Sequence, residues 1–207
     1  MEKEVAMARI CPRPKAFTLS FIIFSVLALA SAAMAAEFMA DMIQKTPMGE
    51  FTGKVYVKGK NIRRETTIMG QKQIIINQGY KRVTYVLMPQ QMAYMEMKWQ
   101  EKDEASNVSS IEDLKKKGKV KYLGKEKVSG YKCKKYQYTP NDPSGVPMTL
   151  WISEKLHYPI KTELSSSKGK MTILYKNIKQ KKIPNSLFQV PADYEKMTMP
   201  IMPKLGN

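Results

Sequence analysis

Along most of the chain apolar and polar residues alternate with a period of two, the spacing of strands that bury one side and wet the other. In residues 51–58, Phe51, Gly53, Val55 and Val57 fall on one side, and Thr52, Lys54, Tyr56 and Lys58 on the other. Turn residues break the pattern at short intervals: Pro47-Met48-Gly49-Glu50, Met69-Gly70-Gln71, Gln78-Gly79 and Pro89-Gln90. Phe38 to Trp99 therefore reads as six consecutive hairpin strands. Residues 100–118 interrupt the alternation with a polar run. Ser109 or Ser110, followed three residues later by Glu112 or Asp113, is a capping signal for one short helix that ends at Gly118. Strands resume over residues 119–128, 131–138, 147–153, 159–166 and 170–178, and the tail after Pro191, with Pro200 and Pro203, reads as extended.

The pattern predicts a mainly β protein: a curved antiparallel sheet of about ten or eleven strands, with one short helix. So long a meander does not stay flat, and twist curls it into an open half-barrel. Its concave face is either filled by its own side chains or left as a ligand cavity.

The N-terminus follows different rules. Lys3, Arg9, Arg13 and Lys15 precede a charge-free stretch from Ala16 to Ala36, which closes on Ala33-Met34-Ala35. A basic region, an apolar region and small residues in that order predict a signal peptide over residues 1–35, cleaved near Ala35, and a single domain over 36–207 in the periplasm. The competing reading is an uncleaved anchor, since the apolar stretch approaches the roughly 20 residues that span a bilayer.

The 207 residues carry 35 Lys+Arg against 18 Asp+Glu, a net +17. Removing residues 1–35 takes four basic and two acidic groups, leaving 31 against 16, or +15, so the excess belongs to the domain. It points to anionic partners. Ten lysines fall between residues 115 and 135, against the one acid Glu126, a local net of +9. These are Lys115, Lys116, Lys117, Lys119, Lys121, Lys125, Lys127, Lys132, Lys134 and Lys135, several at alternating positions expected to line one strand face. A solvated face and a site for anionic membrane headgroups are the two leading readings. Export argues against nucleic acid.

Catalysis finds little support. The one histidine, His157, stands beside Tyr158-Pro159 with no Ser or Cys nucleophile near it in sequence, and Asp41, Asp142 and Asp193 are scattered. No nucleophile motif or metal-ligand spacing appears, so no catalytic residue, metal or cofactor is assigned. Of the two cysteines, Cys133 alone lies in the domain, where a small buried side chain is expected. Met88, Met92, Met95 and Met97 fall within ten residues, which admits three readings: ordinary core, a pliable surface for variable ligands, or soft thioether ligands for copper(I).

Ala40-Asp41-Met42, Gly53, Val55-Tyr56-Val57-Lys58 and Ile62-Arg63-Arg64-Glu65 resemble the opening strands of the outer-membrane lipoprotein-sorting (LolA/LolB-like) family. Leu150-Trp151-Ile152-Ser153, Tyr158-Pro159-Ile160-Lys161, Lys168-Gly169-Lys170 and Ile183-Pro184-Asn185-Ser186-Leu187-Phe188 are similar to its later elements in order and spacing. The chain looks like a short, helix-poor relative. The resemblance implies a periplasmic half-barrel that binds a lipid or an acylated protein and works with an inner- or outer-membrane protein. The face expected to take acyl chains comprises Val55, Val57, Ile74, Ile76, Tyr85, Leu87, Met95, Met97, Leu150, Ile152 and Leu174, unless those side chains simply fill the barrel. An envelope structural or stress-sensing module that pairs with another protein is the alternative.

Overall fold

A computed structural model describes residues 36–99, 111–167 and 169–197. The expected signal segment, Ser109 and Ser110, Lys168, Pro200 and Pro203 lie outside the described residues. Eleven long strands form where the alternation places them: β1 (Glu37–Thr46), β2 (Gly49–Lys58), β3 (Asn61–Ile68), β4 (Gln71–Gln78), β5 (Val83–Met88), β6 (Ala93–Lys98), β7 (Gly118–Val128), β8 (Tyr131–Pro140), β9 (Met148–Ser153), β10 (Pro159–Ser166) and β11 (Gly169–Lys179). One helix, α1 (Ile111–Lys117), precedes β7, and a two-residue β12 (Glu195–Lys196) follows β11. The fold is an open, curved, mainly antiparallel sheet.

The strand order is β12-β6-β5-β4-β3-β2-β1-β11-β10-β9-β8-β7. Two meanders are thus joined where β1 pairs with β11, and β7 ends the sheet opposite β12. Tight turns set the register of the hairpins. Met69-Gly70 (φ 50° and 76°) and Ser129-Gly130 (φ 47° and 85°) place two successive residues in the left-handed region, the geometry whose twist matches flanking strands. Gly53 answers a different need: a Cβ there would lie 2.0 Å from the Glu65 carbonyl oxygen of β3, so only glycine lets the two strands approach.

Cross-strand pairing divides the side chains into two faces. Phe38, Ala40, Val55, Val57 and Ile62 share one, here the Phe38 face. Met39, Tyr56, Arg63, Ile76 and Tyr85 share the other, the Tyr56 face. α1 covers part of the Phe38 face, where its Leu114 packs with Tyr138, Met148 and Leu150. The segment after β11 covers part of the Tyr56 face, setting Ile183 and Phe188 against Ile74, Ile76 and Leu87. Polar ties hold that segment down: Lys58 Nζ donates to the Ile183 carbonyl (2.8 Å), Arg63 Nη1 to the Leu187 carbonyl (2.9 Å), and the Ile183 N–H to Glu37 Oε1 (2.7 Å).

The far meander curls. Ser129, at the tip of the β7–β8 hairpin, donates through Oγ to the Tyr175 carbonyl of β11 at 2.7 Å. In a flat sheet β8 and β11 lie three spacings apart, about 14 Å. The direct bond requires the hairpin to bend over β9 and β10 as an arm.

Candidate functional site

Beneath this arm lies an open groove of about 490 Å³. Lys161 of β10 and Leu174 and Lys176 of β11 line one wall, with Asn177 beside them, and Glu126, Lys127, Val128 and Ser129 of the arm line the other. Asn177 has φ 50° where the β1–β11 register shifts, and its Nδ2 donates to Asp41 Oδ2 at 2.7 Å. Two apolar side chains, three lysines and several hydrogen-bonding groups make the lining amphiphilic.

Trp151 of β9 adjoins the groove. Lys135 and Lys161 are its register partners on the two neighbouring strands, and their ammonium groups sit 4.7 and 4.1 Å from the ring centroid. The buried indole is clamped between two cations, which its π-face attracts. Its Nε1 donates to Glu126 Oε2 at 2.7 Å, and Lys135 reaches the same oxygen at 3.3 Å. The indole bond first, and Lys135 second, hold the Glu126 carboxyl below its ordinary pKa. Cys133 is buried near Trp151, and burial pushes its thiol up, as expected of an inert side chain.

The eleven residues expected on one acyl-binding face are split. Val55, Val57, Met95, Met97, Leu150 and Ile152 lie on the Phe38 face, whereas Ile74, Ile76, Tyr85, Leu87 and Leu174 lie on the Tyr56 face. The reason is register: in each successive pair from β1 to β6, odd-numbered residues oppose even-numbered ones, so equal parity does not mean equal face. Val55 and Val57 are packed with Phe38, and Ile74, Ile76 and Leu87 are covered by Ile183 and Phe188. Leu174 alone of the set lines the groove. Met88 joins Met95 and Met97 on the Phe38 face, while Met92 sits in the preceding turn at φ 49°.

The lysines also divide. A β-bulge between Tyr122 and Gly124 inserts Leu123 and reverses the parity of β7. Lys119, Lys121 and Lys135 therefore lie on the Tyr56 face, and Lys125, Lys127, Lys132 and Lys134 on the Phe38 face, correcting the expectation of a single basic face. Lys115, Lys116 and Lys117 end α1, where cations complement the helix dipole. The two arginines of β3 part as well. Arg63 binds Glu65 (2.7 Å) on the Tyr56 face. Arg64 points to the Phe38 face beside Tyr158 and Tyr175. Burial pulls its pKa down and the two phenols outweigh this, leaving it raised, and its buried Nε has no hydrogen-bond partner. Among the described residues no cluster of His, Cys, Asp or Glu could hold a metal, and no helix is long and apolar enough to cross a membrane.

The fold is thus an open curved antiparallel sheet with a groove beneath its bent β7–β8 arm. The chain belongs to the DUF4412 family, a domain of unknown function, whose model matches residues 38–158. The chain is similar to an uncharacterized conserved protein from Thermus thermophilus, at 12% identity and TM-score 0.56, over 79% of this chain and 91% of that one. It is also similar to the MucA/MucB complex structure of Pseudomonas aeruginosa, at 14% identity and TM-score 0.51, over 80% of this chain and 59% of the matched chain. It thus spans about three fifths of that chain's length. The LolA superfamily protein NE2245 from Nitrosomonas europaea aligns at 14% identity and TM-score 0.39, over 76% of this chain and 91% of that one. The first two are likenesses of fold. No curated protein matches the chain.

Proposed function

We propose that this protein is a non-catalytic binding module of the bacterial envelope that takes up an anionic amphiphile, a lipid or an acylated protein, in the groove beneath the β7–β8 arm. The carrying observation is the lining: Leu174 and Val128 offer apolar surface beside Lys161, Lys176 and Lys127, with Asn177 and Ser129 to orient a polar head. The LolA-like fold and the signal-like order of residues 1–35 support a periplasmic carrier.

The clamped indole supplies the test. In a Trp99→Phe background, titration with dodecyl phosphate below its micelle concentration should shift Trp151 emission saturably at one ligand per chain. Leu174→Ser combined with Lys176→Gln should abolish the shift. Absence of saturation, or an unaffected double variant, overturns the reading.

A second reading, a regulatory module that pairs with another protein, draws support from the outer edge of β7, which ends the sheet and offers backbone groups to an added strand. The MucB-type fold is compatible with it. A partner bound there would slow amide exchange along residues 118–128 without changing Trp151 emission.

A further inference from the structure

The face of the arm turned away from the groove carries a ladder of like charges. Lys125 stands directly opposite Lys134, and Lys127 directly opposite Lys132. Side chains so paired are 4.5–5.5 Å apart at Cβ, and equal charges there repel. Among the described residues, one carboxylate is paired with these four ammonium groups: Glu154 binds Lys125 at 3.0 Å. Protection of a sheet edge does not explain this. Edge lysines guard the outermost strand, yet half the ladder belongs to β8, which is paired on both sides.

The next rung inward is aromatic. Tyr122 faces Tyr136 with ring centroids 5.5 Å apart, and Tyr122 is 51% exposed. Leu123, the bulge residue, is 43% exposed. Lysines continuous with an exposed tyrosine and leucine match the boundary of an anionic bilayer. There, cations meet headgroup phosphates, amphipathic rings sit at headgroup level and an aliphatic side chain enters the acyl region. A soluble polyanion would use the lysines and leave Tyr122 and Leu123 without a role.

We propose that this outer face of the arm, Lys125, Lys127, Lys132 and Lys134 with Tyr122 and Leu123, docks the protein onto an anionic lipid bilayer. Docking neutralises the opposed lysines, relieving repulsion that the free protein bears. Lys127 borders both the groove and this surface, but Tyr122, Leu123, Lys125, Lys132 and Lys134 do not line the groove, so substitutions there let the two assignments fail separately.

Vesicle co-sedimentation tests it. The purified protein should bind phosphatidylcholine vesicles containing phosphatidylglycerol and not pure phosphatidylcholine vesicles. Lys125→Gln, Lys132→Gln and Lys134→Gln together should lower partitioning roughly a hundredfold, at about fivefold for each lysine near the surface. Tyr122→Ser with Leu123→Ser should also weaken it, whereas Leu174→Ser in the groove should leave it unchanged. Lys132→Glu separates docking from misfolding, because a carboxylate opposite Lys127 should raise the melting temperature while vesicle binding falls. Equal binding to both vesicle types, retention by the triple variant, or indifference to the Tyr122 and Leu123 substitutions overturns the proposal. The last result, with polyglutamate displacing the vesicles, would assign the ladder to soluble polyanions instead.

Discussion

Ser129 Oγ donates to the Tyr175 carbonyl at 2.7 Å, joining the tip of the arm to a strand three positions away in the sheet. This is the polar tie that holds the arm over the groove. Ser129→Ala removes the donor, and the Tyr175 carbonyl loses a partner, so unfolding stability should fall by about 1 kcal/mol. Amide exchange at residues 126–131 should speed up by more than that global loss explains, and denaturant melts together with exchange rates check both parts.

The Trp151–Glu126 bond predicts a pH response. Glu126 has a depressed pKa in the folded protein, so its contribution is present above the ordinary glutamate value of about 4.3 and is lost as pH falls through the lower folded value. Trp151 emission, followed in a Trp99→Phe background, should hold steady from pH 7 to about pH 4.5 and change below about pH 4. In Glu126→Gln that step should vanish. A step surviving this substitution assigns the response to another acid.

Gly53 tolerates no side chain. An added Cβ meets the Glu65 carbonyl oxygen within 2.0 Å and the Thr66 methyl at 3.0 Å, so β2 and β3 must separate. Gly53→Ala should destabilise the protein by about 2 kcal/mol or more, measured by urea melts. A neutral result would mean that the two strands shift without loss.

Met69 is at the opposite extreme. It is almost wholly exposed at φ 50°, in a turn that favours asparagine before glycine. Met69→Asn should stabilise the β3–β4 hairpin by about 0.5–1 kcal/mol, raising the melting temperature and leaving groove binding unaltered.

Much of this architecture was legible in the sequence because strands and turns are local events. Alternation located all eleven long strands, and Met69-Gly70 and Gly130 marked turns that the structure contains. What alternation does not encode is how one strand's parity maps to the next. Val55 and Tyr85, both odd-numbered, look equivalent along the chain yet lie on opposite faces, since each of the three intervening turns exchanges odd for even. The bulge at Leu123 does the same within a single strand and divides the lysines. The Trp151 clamp was hidden for a related reason: Lys135 and Lys161 meet the ring only through cross-strand register. Ile183 and Phe188 cover the Tyr56 face from a segment with no periodic signal, so the filling of that face was not readable either.

The pairing of β1 with β11 also dictates an order of assembly. Met42 finds Tyr175, and Ile43 finds Leu174, only after more than 120 intervening residues have been made. Until then β1 has β2 on one flank and bare backbone on the other, a state open to pairing with other chains. The wall of the groove formed by Leu174 and Lys176 is missing for the same interval. A ribosome-bound fragment ending before residue 169 would carry the arm, the ladder and six hairpin strands, yet have neither a joined sheet nor a site to fill. Such long-range closure slows folding, and ligand capture becomes a property of the finished chain alone.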